Sequence, residues 1–449
     1  MPVMQTPGVY SVEKNAFPNS VVEVATAVPA FIGYTEKALN GDKSLLNKPF
    51  RITSIAEFRA CFGEAPRPKF SFEALADGIY VLKRVDSFTL YYNMLLFYAN
   101  GGGPCYIVSV GDYTSDDIDK AKLQAGIDTL VKEQEPTLLV IPEAVNLKAS
   151  KDCYALQRAM LAHCGSVMKN RFAILDIYDG AKDSKGHQGD VINAFREQVG
   201  NEFLDYGAAY YPWINTSIVQ EKELSFQNLD IVTQNGLLTD ELSPLYARII
   251  GEMRFMLNLL PISAAMAGVY ALTDSTKGVW KAPTNVGIAK AVSPAVSILH
   301  EAQEELNVSV SGKSVNVIRS FISEGIIIGG ARTLDGNSLN WRYINVRRTM
   351  IMLEESIKNA LKAYVFEPNV ATTWVNVKGM ISNFLNGIWK RGGLAGDKPD
   401  NAYRVHVGLG ETMTSTDYLE GIMRITVLVA LVRPAEFIEI TFQQQMQKS

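Results

Sequence analysis

From Cys105 to Ile214 short apolar runs alternate with segments of helical spacing, and few folds accommodate that rhythm. The runs "CYIVSV", "TLLVIPE", "RFAILDIYD" and "YGAAYYPWI" read as strands. Between them, "DDIDKAKLQAGIDTLVKE" (116–133) repeats apolar residues at Ile118, Leu123, Ile127 and Leu130. "CYALQRAMLAHCGSVMKN" and "VINAFREQVG" also read as helices. Strands alternating with helices need crossover connections, hence a mainly parallel sheet. The expected class is α/β (α+β overall), and 449 residues suggest two or three domains.

Outside this stretch the patterns differ. The first twenty residues are short apolar steps broken by Pro2, Pro7, Gly8 and Pro18, which read as an extended arm. "VVEVATAVPAFIGYTEKA" (21–38) reads as strand, turn at Pro29, strand. "SPLYARIIGEMRFMLNLL" reads as a helix and "GVWKAPTN" as a loop. "RRTMIMLEESIKNALKAYV" puts Met350, Leu353, Ile357, Leu361 and Tyr364 on one face, with Glu354 and Lys358 as an i,i+4 pair. "FEPN" ends that helix, because residues before proline avoid the helical region. A second helix, "TTWVNVKGMISNFLNGIWKR", turns Val377, Ile381, Phe384, Leu385 and Ile388 inward. "YRVHVGL", "IMRITVLVALV" and "AEFIEITF" read as strands.

The chemistry offered by these residues is sparse. A net charge of −4 gives no electrostatic reason to expect nucleic acid. Cys61, Cys105, Cys153 and Cys164 lack C-x-x-C spacing and fit free thiols in a reducing compartment. His163 beside Cys164 has no second ligand pair to complete a metal site, so a packed histidine is expected. The N-terminus lacks the basic and apolar regions of a signal peptide. No window reaches the ~18 apolar residues of a membrane span, so direct membrane insertion is not expected. The run Gly101–Gly103 invites a phosphate-binding reading. Such loops follow a strand and open a helix, whereas this one precedes a strand and lacks G-K-[ST], so a turn is expected. Glu143, Asp176 and Asp179 follow strand-like runs, at the carboxyl ends where open sheets bind ligands. Clustered there they would hold magnesium; alternatively they cap the following helices. No nucleophile elbow, H-E-x-x-H or kinase set occurs.

The chain ends point to assembly. Phe437 to Phe442 reads as a strand with Ile438, Ile440 and Phe442 on one face. Beyond Pro434, it can either join a neighbour's sheet or fold back locally. The N-terminal strand around Val9, Tyr10 and Val12 has the same two options. On the helix at about 374–391, Lys378, Ser382, Asn386 and Lys390 recur every four residues with Arg391 adjoining, a polar, basic stripe opposite the buried face.

Several segments together carry a resemblance. "TPGVYSVE", "PAFIGYTEKA", "GGGPCYIVSVG", "YYPW", "GVWKAPTN", "GARTLDGNSLNWRYINVRRTMIMLEESI", "VFEPN", "FLNGIWKRGGLAG" and "RPAEFIEITFQQ" occur in this order, most densely from Gly330 to Gln445. In them the chain resembles the sheath proteins of contractile phage tails and phage-tail-like injection systems. The resemblance implies a structural subunit that polymerises helically around an inner tube and contracts to drive it through a target envelope. It implies an inner domain from both chain ends (21–57 and 310–434) enclosing an outer α/β region (58–309). Arms 1–20 and 435–449 would exchange strands between subunits through Val9, Tyr10, Val12, Phe437, Ile438, Ile440 and Phe442. The helix carrying Lys378, Ser382, Asn386, Lys390 and Arg391 would face the tube; the alternative is a solvated face. Implied partners are the chain itself, the tube protein, baseplate and cap proteins, and paralogous sheath subunits, with no catalytic residue, cofactor or metal. Synthesis and assembly are expected in the cytoplasm, ending in a phage tail or injection particle. The rival reading is an α/β enzyme binding a nucleotide or metal at the strand ends.

Overall fold

The computed structural model describes residues 20–74, 80–115, 117–183, 190–230, 244–308, 310–321 and 325–436. The chain divides into two compact units. One, here the sheet unit, runs from Ala25 to Ile351 and takes back the chain from Arg433; the other, the helical unit, contains Met352–Val432 with the segment ending at Val24.

The sheet unit is built on eight strands: β1 Pro29–Gly33, β2 Phe50–Ile52, β3 Cys105–Ser109, β4 Leu138–Val140, β5 Phe172–Asp176, β6 Gly207–Tyr211, β7 Val315–Phe321 and β8 Gly325–Ile328. Their order across the sheet is β8-β7-β6-β5-β4-β1-β3-β2. The six central strands are mutually parallel, and antiparallel β8 and β2 close the edges. Every residue of β1 is buried. Phe31 enters one apolar cluster and Ala30 and Ile32 the other, as side chains alternating across a doubly covered sheet must. Helices α1 Ile55–Phe62, α2 Leu90–Ala99, α6 Pro244–Leu257 and α7 Ser263–Lys277 supply the first cluster. Helices α3 Lys120–Thr129, α4 Ser150–Ala162, α5 Val191–Gln198 and α8 His300–Asn307 supply the second. The alternation seen in the sequence is thus a sheet wound on both faces.

Two local expectations change. Residues 21–28 form no strand, and Pro29 opens β1 instead of turning before it. Side chains hold their backbone groups in place of a ladder: Arg348 donates to the Thr26 carbonyl at 2.9 Å, and Thr137 Oγ1 accepts from Val28 N–H at 2.9 Å. Of the predicted "IMRITVLVALV" strand Thr426–Val429 pairs as a strand, and beyond it Leu431 makes an isolated bridge with Leu394. Lys358 bonds Glu355 at 2.9 Å, i,i+3. The glycine run does form a turn, from α2 into β3. Gly101 has φ +94°, and a Cβ on Gly102 would lie 2.6 Å from the Phe97 ring.

The helical unit holds the end of α9 Ile344–Leu361, then α10 Ala371–Lys390, α11 Pro399–Ala402 and α12 Ser415–Leu419, with strands β9 Tyr403–His406 and β10 Thr426–Val429. Val377, Met380, Ile381, Leu385 and Ile388 of α10 are buried, while Phe384 is half-buried. Ser20–Val24 joins this unit through Val24 N–H to Ser356 Oγ (3.0 Å) and a Glu23–Arg391 ion pair. The division differs from the expected boundaries at 57/58 and 309/310. Since β1 pairs with β3 and β4, and β7 with β6, residues 29–57 and 310–351 cannot be separated from the parallel sheet without opening it.

Candidate functional site

In an open parallel sheet, ligands bind beyond the carboxyl ends where the winding reverses. Here the chain passes from β1 to β3 on one side and then to β4 on the other, so the crevice lies beyond β1 and β4. Glu143 fills it. This carboxylate, wholly buried, accepts from Tyr34 N–H (2.8 Å), Thr89 N–H (2.8 Å) and Leu90 N–H (3.0 Å). The last two are orphan donors at the start of α2, the groups that bind phosphate in nucleotide folds. A Cβ on Gly33 would come within 2.6 Å of Glu143 Oε2, so glycine is required for this approach. Burial pushes the Glu143 carboxyl up to about 7, against the three backbone donors and the Arg84 charge.

Asp176 repeats the arrangement one strand further on. It accepts from Ile262 N–H (2.8 Å) and Ser263 N–H (2.9 Å) at the start of α7. Burial raises its carboxyl to about 6, countered by Ser263 and Ile262. Both acids therefore cap helices, but helices distant in sequence, α2 and α7, not the ones that follow them. Asp179 is drawn away by Lys182, 2.7 Å distant. Among the described residues no three such side chains form a metal cluster. His163 is packed as expected, its Nε2 2.8 Å from Arg171 Nη1.

The helical unit offers two surfaces. The first is the hairpin: Tyr403 lies opposite Val429 and His406 opposite Thr426, and no third strand joins it among the described residues. The second is the outer face of α10. Lys378 and Lys390 are exposed, Ser382 and Asn386 half-buried, and Arg391 exposed with its guanidinium paired to Glu23. Val9, Tyr10, Val12, Phe437, Ile438, Ile440 and Phe442 lie outside the described residues.

The arm roots, however, are described, and sequence reasoning missed what holds them. Arg348, with Asp274 at 2.6 Å, holds the Thr26 carbonyl, and Thr26 Oγ1 donates to Asp274 at 2.5 Å. At the other end Arg332 grips Glu436 through Nε (2.9 Å) and Nη2 (2.6 Å). Both arginines lie in "GARTLDGNSLNWRYINVRR". Their acidic partners are remote in sequence, so no spacing pattern could reveal them.

A profile of the phage tail sheath C-terminal domain family matches residues 337–445. The chain is 28% identical over 137 residues to the tail sheath protein of Vibrio phage KVP40, a match covering 30% of this chain and 20% of that relative's length. Among solved structures, the sheath complex of an extracellular contractile injection system, PVC, in its contracted state is similar over 99% of both chains, at 30% identity and TM-score 0.67. The contracted helical sheath of the anti-feeding prophage is 31% identical with TM-score 0.68, over 99% of this chain and 100% of that one.

Proposed function

The chain belongs to the contractile tail sheath family, and we propose that it is a structural subunit that polymerises helically around an inner tube and contracts to drive the tube through a target envelope. The observation that carries this reading is the end-to-end likeness, at 30% identity, to a sheath in its contracted state. The rival enzyme needs the crevice beyond β1 and β4, where any ligand would have to evict Glu143 from three donors.

Assembly follows from exchanged strands. The hairpin Tyr403–His406/Thr426–Val429 is a two-stranded ribbon packed on α10, and the outer edges of such a ribbon can take up further strands. Arms from neighbours, through Val9, Tyr10 and Val12 or Phe437, Ile438, Ile440 and Phe442, would supply those strands. A contact of this kind does not close on itself and generates an open helix. The basic stripe Lys378, Ser382, Asn386 and Lys390 faces the tube in this reading; Arg391, paired to Glu23, braces the helix end. Baseplate and cap proteins and paralogous sheath subunits are the further partners, and the finished product is a phage tail or an injection particle assembled in the cytoplasm. Electron microscopy of the purified protein tests the proposal. Rings or tubes are expected. Discrete particles whose melting temperature rises with ATP, GTP or NAD would overturn it; ligand at a hundred times its Kd stabilises by about 2.7 kcal/mol.

A further inference from the structure

Glu436 is the last described residue, and it is held from three sides. Its Oε1 accepts from Arg332 Nε (2.9 Å) and Asn307 Nδ2 (2.6 Å). Its Oε2 accepts from Arg332 Nη2 (2.6 Å) and the Tyr343 hydroxyl (3.1 Å). A carboxylate offers about four acceptor positions, and all are used. Arg332 is nearly inaccessible, with a side-chain exposure of 3%.

Arg332 is itself fixed to the centre of the unit. Asn316 of β7 clamps its backbone, accepting from Arg332 N–H and donating to its carbonyl, both at 2.8 Å. Arg332 Nη1 donates to the Gly336 carbonyl at 3.2 Å. A Cβ on Gly330 would lie 2.6 Å from Asn316 Oδ1, so the chain reaches this bracket only through glycine. Leu334 N–H donates to the Gly207 carbonyl at the start of β6 (2.8 Å). A continuous series of short polar contacts therefore runs from Glu436 to two central strands.

We propose that the Arg332 grip on Glu436 is the anchor through which tension in the C-terminal arm enters the subunit, and that it delivers that tension to the sheet unit. The helical unit, which the chain leaves at Val432, is bypassed. A bidentate, charge-assisted pair with a buried guanidinium suits this task because its geometry permits little give. Arg332, Asn316 and Glu436 are positioning residues in this scheme. The inference rests on the reading that residues beyond Glu436 are exchanged between subunits.

The experiment moves slack along the chain. Three flexible residues add roughly 10 Å. They are inserted either between Val432 and Arg433, before the anchor, or between Glu436 and Phe437, after it. Sheaths assembled from each full-length variant are exposed to acid or denaturant, and extended and contracted forms are counted by electron microscopy. With the anchor in place the first insertion contracts like the parent and the second fails to contract. Combining the first insertion with Glu436→Gln makes it harmful. Equal impairment by both insertions would overturn the anchor, since tension would then run on through Val432. Silence of both would also overturn it, provided a chain ended after Glu436 no longer assembles. Normal assembly of that shortened chain would overturn the strand-exchange reading itself, and the anchor with it. Because the insertions leave every anchor side chain intact, the outcome does not depend on Glu436→Gln folding.

Discussion

In the sheet unit Phe31, Phe97 and Tyr210 are fully enclosed, whereas in the helical unit Phe366 is fully exposed and Leu419 is 84% exposed. Both large apolar clusters lie within residues 28–344. Polar groups divide the same way. The sheet unit buries Glu143, Asp176, His163 and Arg171, while Asp417–Arg424 and His406–Glu411 of the helical unit lie at its surface. Phe366 adds a backbone cost, with φ +71°, where bulky residues are strained. Asn369 Nδ2 donates to the Ile422 carbonyl, which brings the Val365–Val370 turn beside the loop that follows α12, the helix ending at Leu419. The difference is one of core: the sheet unit also exposes large apolar side chains, Phe255 and Leu299 among them, but it holds both large clusters, whereas the much shorter helical unit sets Phe366 and Leu419 at its surface without a cluster of that size among the described residues.

The contrast can be broken most forcibly in the sheet unit. Glu143→Ala leaves three buried N–H groups without an acceptor, at about 1–3 kcal/mol each. Denaturant unfolding should register a loss of about 4 kcal/mol or more. A loss under about 1 kcal/mol would mean that water replaces the carboxylate and that the crevice is open after all.

Acid should act on the same unit. Burial, reinforced by the Arg171 charge, lowers the His163 pKa to about 4. The unfolded chain, with an ordinary value of about 6.5, takes up the proton first. His163 therefore contributes stability that is full above about pH 6.5 and is lost as pH falls towards about 4. Glu143 and Asp176, raised to about 7 and about 6, oppose it, since their contribution is present at low pH and lost as pH rises towards those values. His163→Gln isolates the histidine: relative to the parent, the slope of stability between pH 4 and 6.5 should change by up to about 1.4 kcal/mol per pH unit. Identical slopes would locate the acid response elsewhere.

Substitutions in the helical unit should barely move the subunit. Phe366→Asn suits the left-handed backbone, and with Leu419→Ser it should change the melting free energy by less than about 1 kcal/mol while reducing assembly. Normal sheaths would show that this surface has no partner. Lys378→Glu with Lys390→Glu should be smaller still for the isolated subunit, within about 0.5 kcal/mol. Its effect should emerge only in particles containing the tube, where weak exposed pairs repeat along the lattice. Normal yields of such particles would leave the stripe as solvated surface.

The sheet was legible because burial on both faces writes continuous apolar runs, as in "FAILD" and "GAAYY". The inward face of α10 was legible because Val377, Ile381, Leu385 and Ile388 recur at helical spacing over about three turns. The edge of β1 was not: "VVEVATAV" has the composition of a strand, and only the remote Arg348 and Thr137 determine that it is none. The role of Glu143 as a cap could be read from its position after a strand, but not which helix it caps, because Thr89 and Leu90 arrive through the topology. The grip on Glu436 depends on Asn307, Arg332 and Tyr343, which share no periodicity with it.

Discontinuity of the helical unit sets a clock on synthesis. Ser20–Val24 belongs with Met352–Val432, bonded through Ser356 and Arg391. A ribosome adding about 5–20 residues per second needs roughly 15–65 s to cover the roughly 330 residues between Val24 and Met352. During that interval the sheet unit can fold behind the ribosome, while the helical unit has only its first few residues. A nascent chain thus lacks its hairpin until Thr426–Val429 has been made. If neighbours add strands to that hairpin, as proposed, copies held close together on one polysome would lack the surface that joins them until this late stage of synthesis.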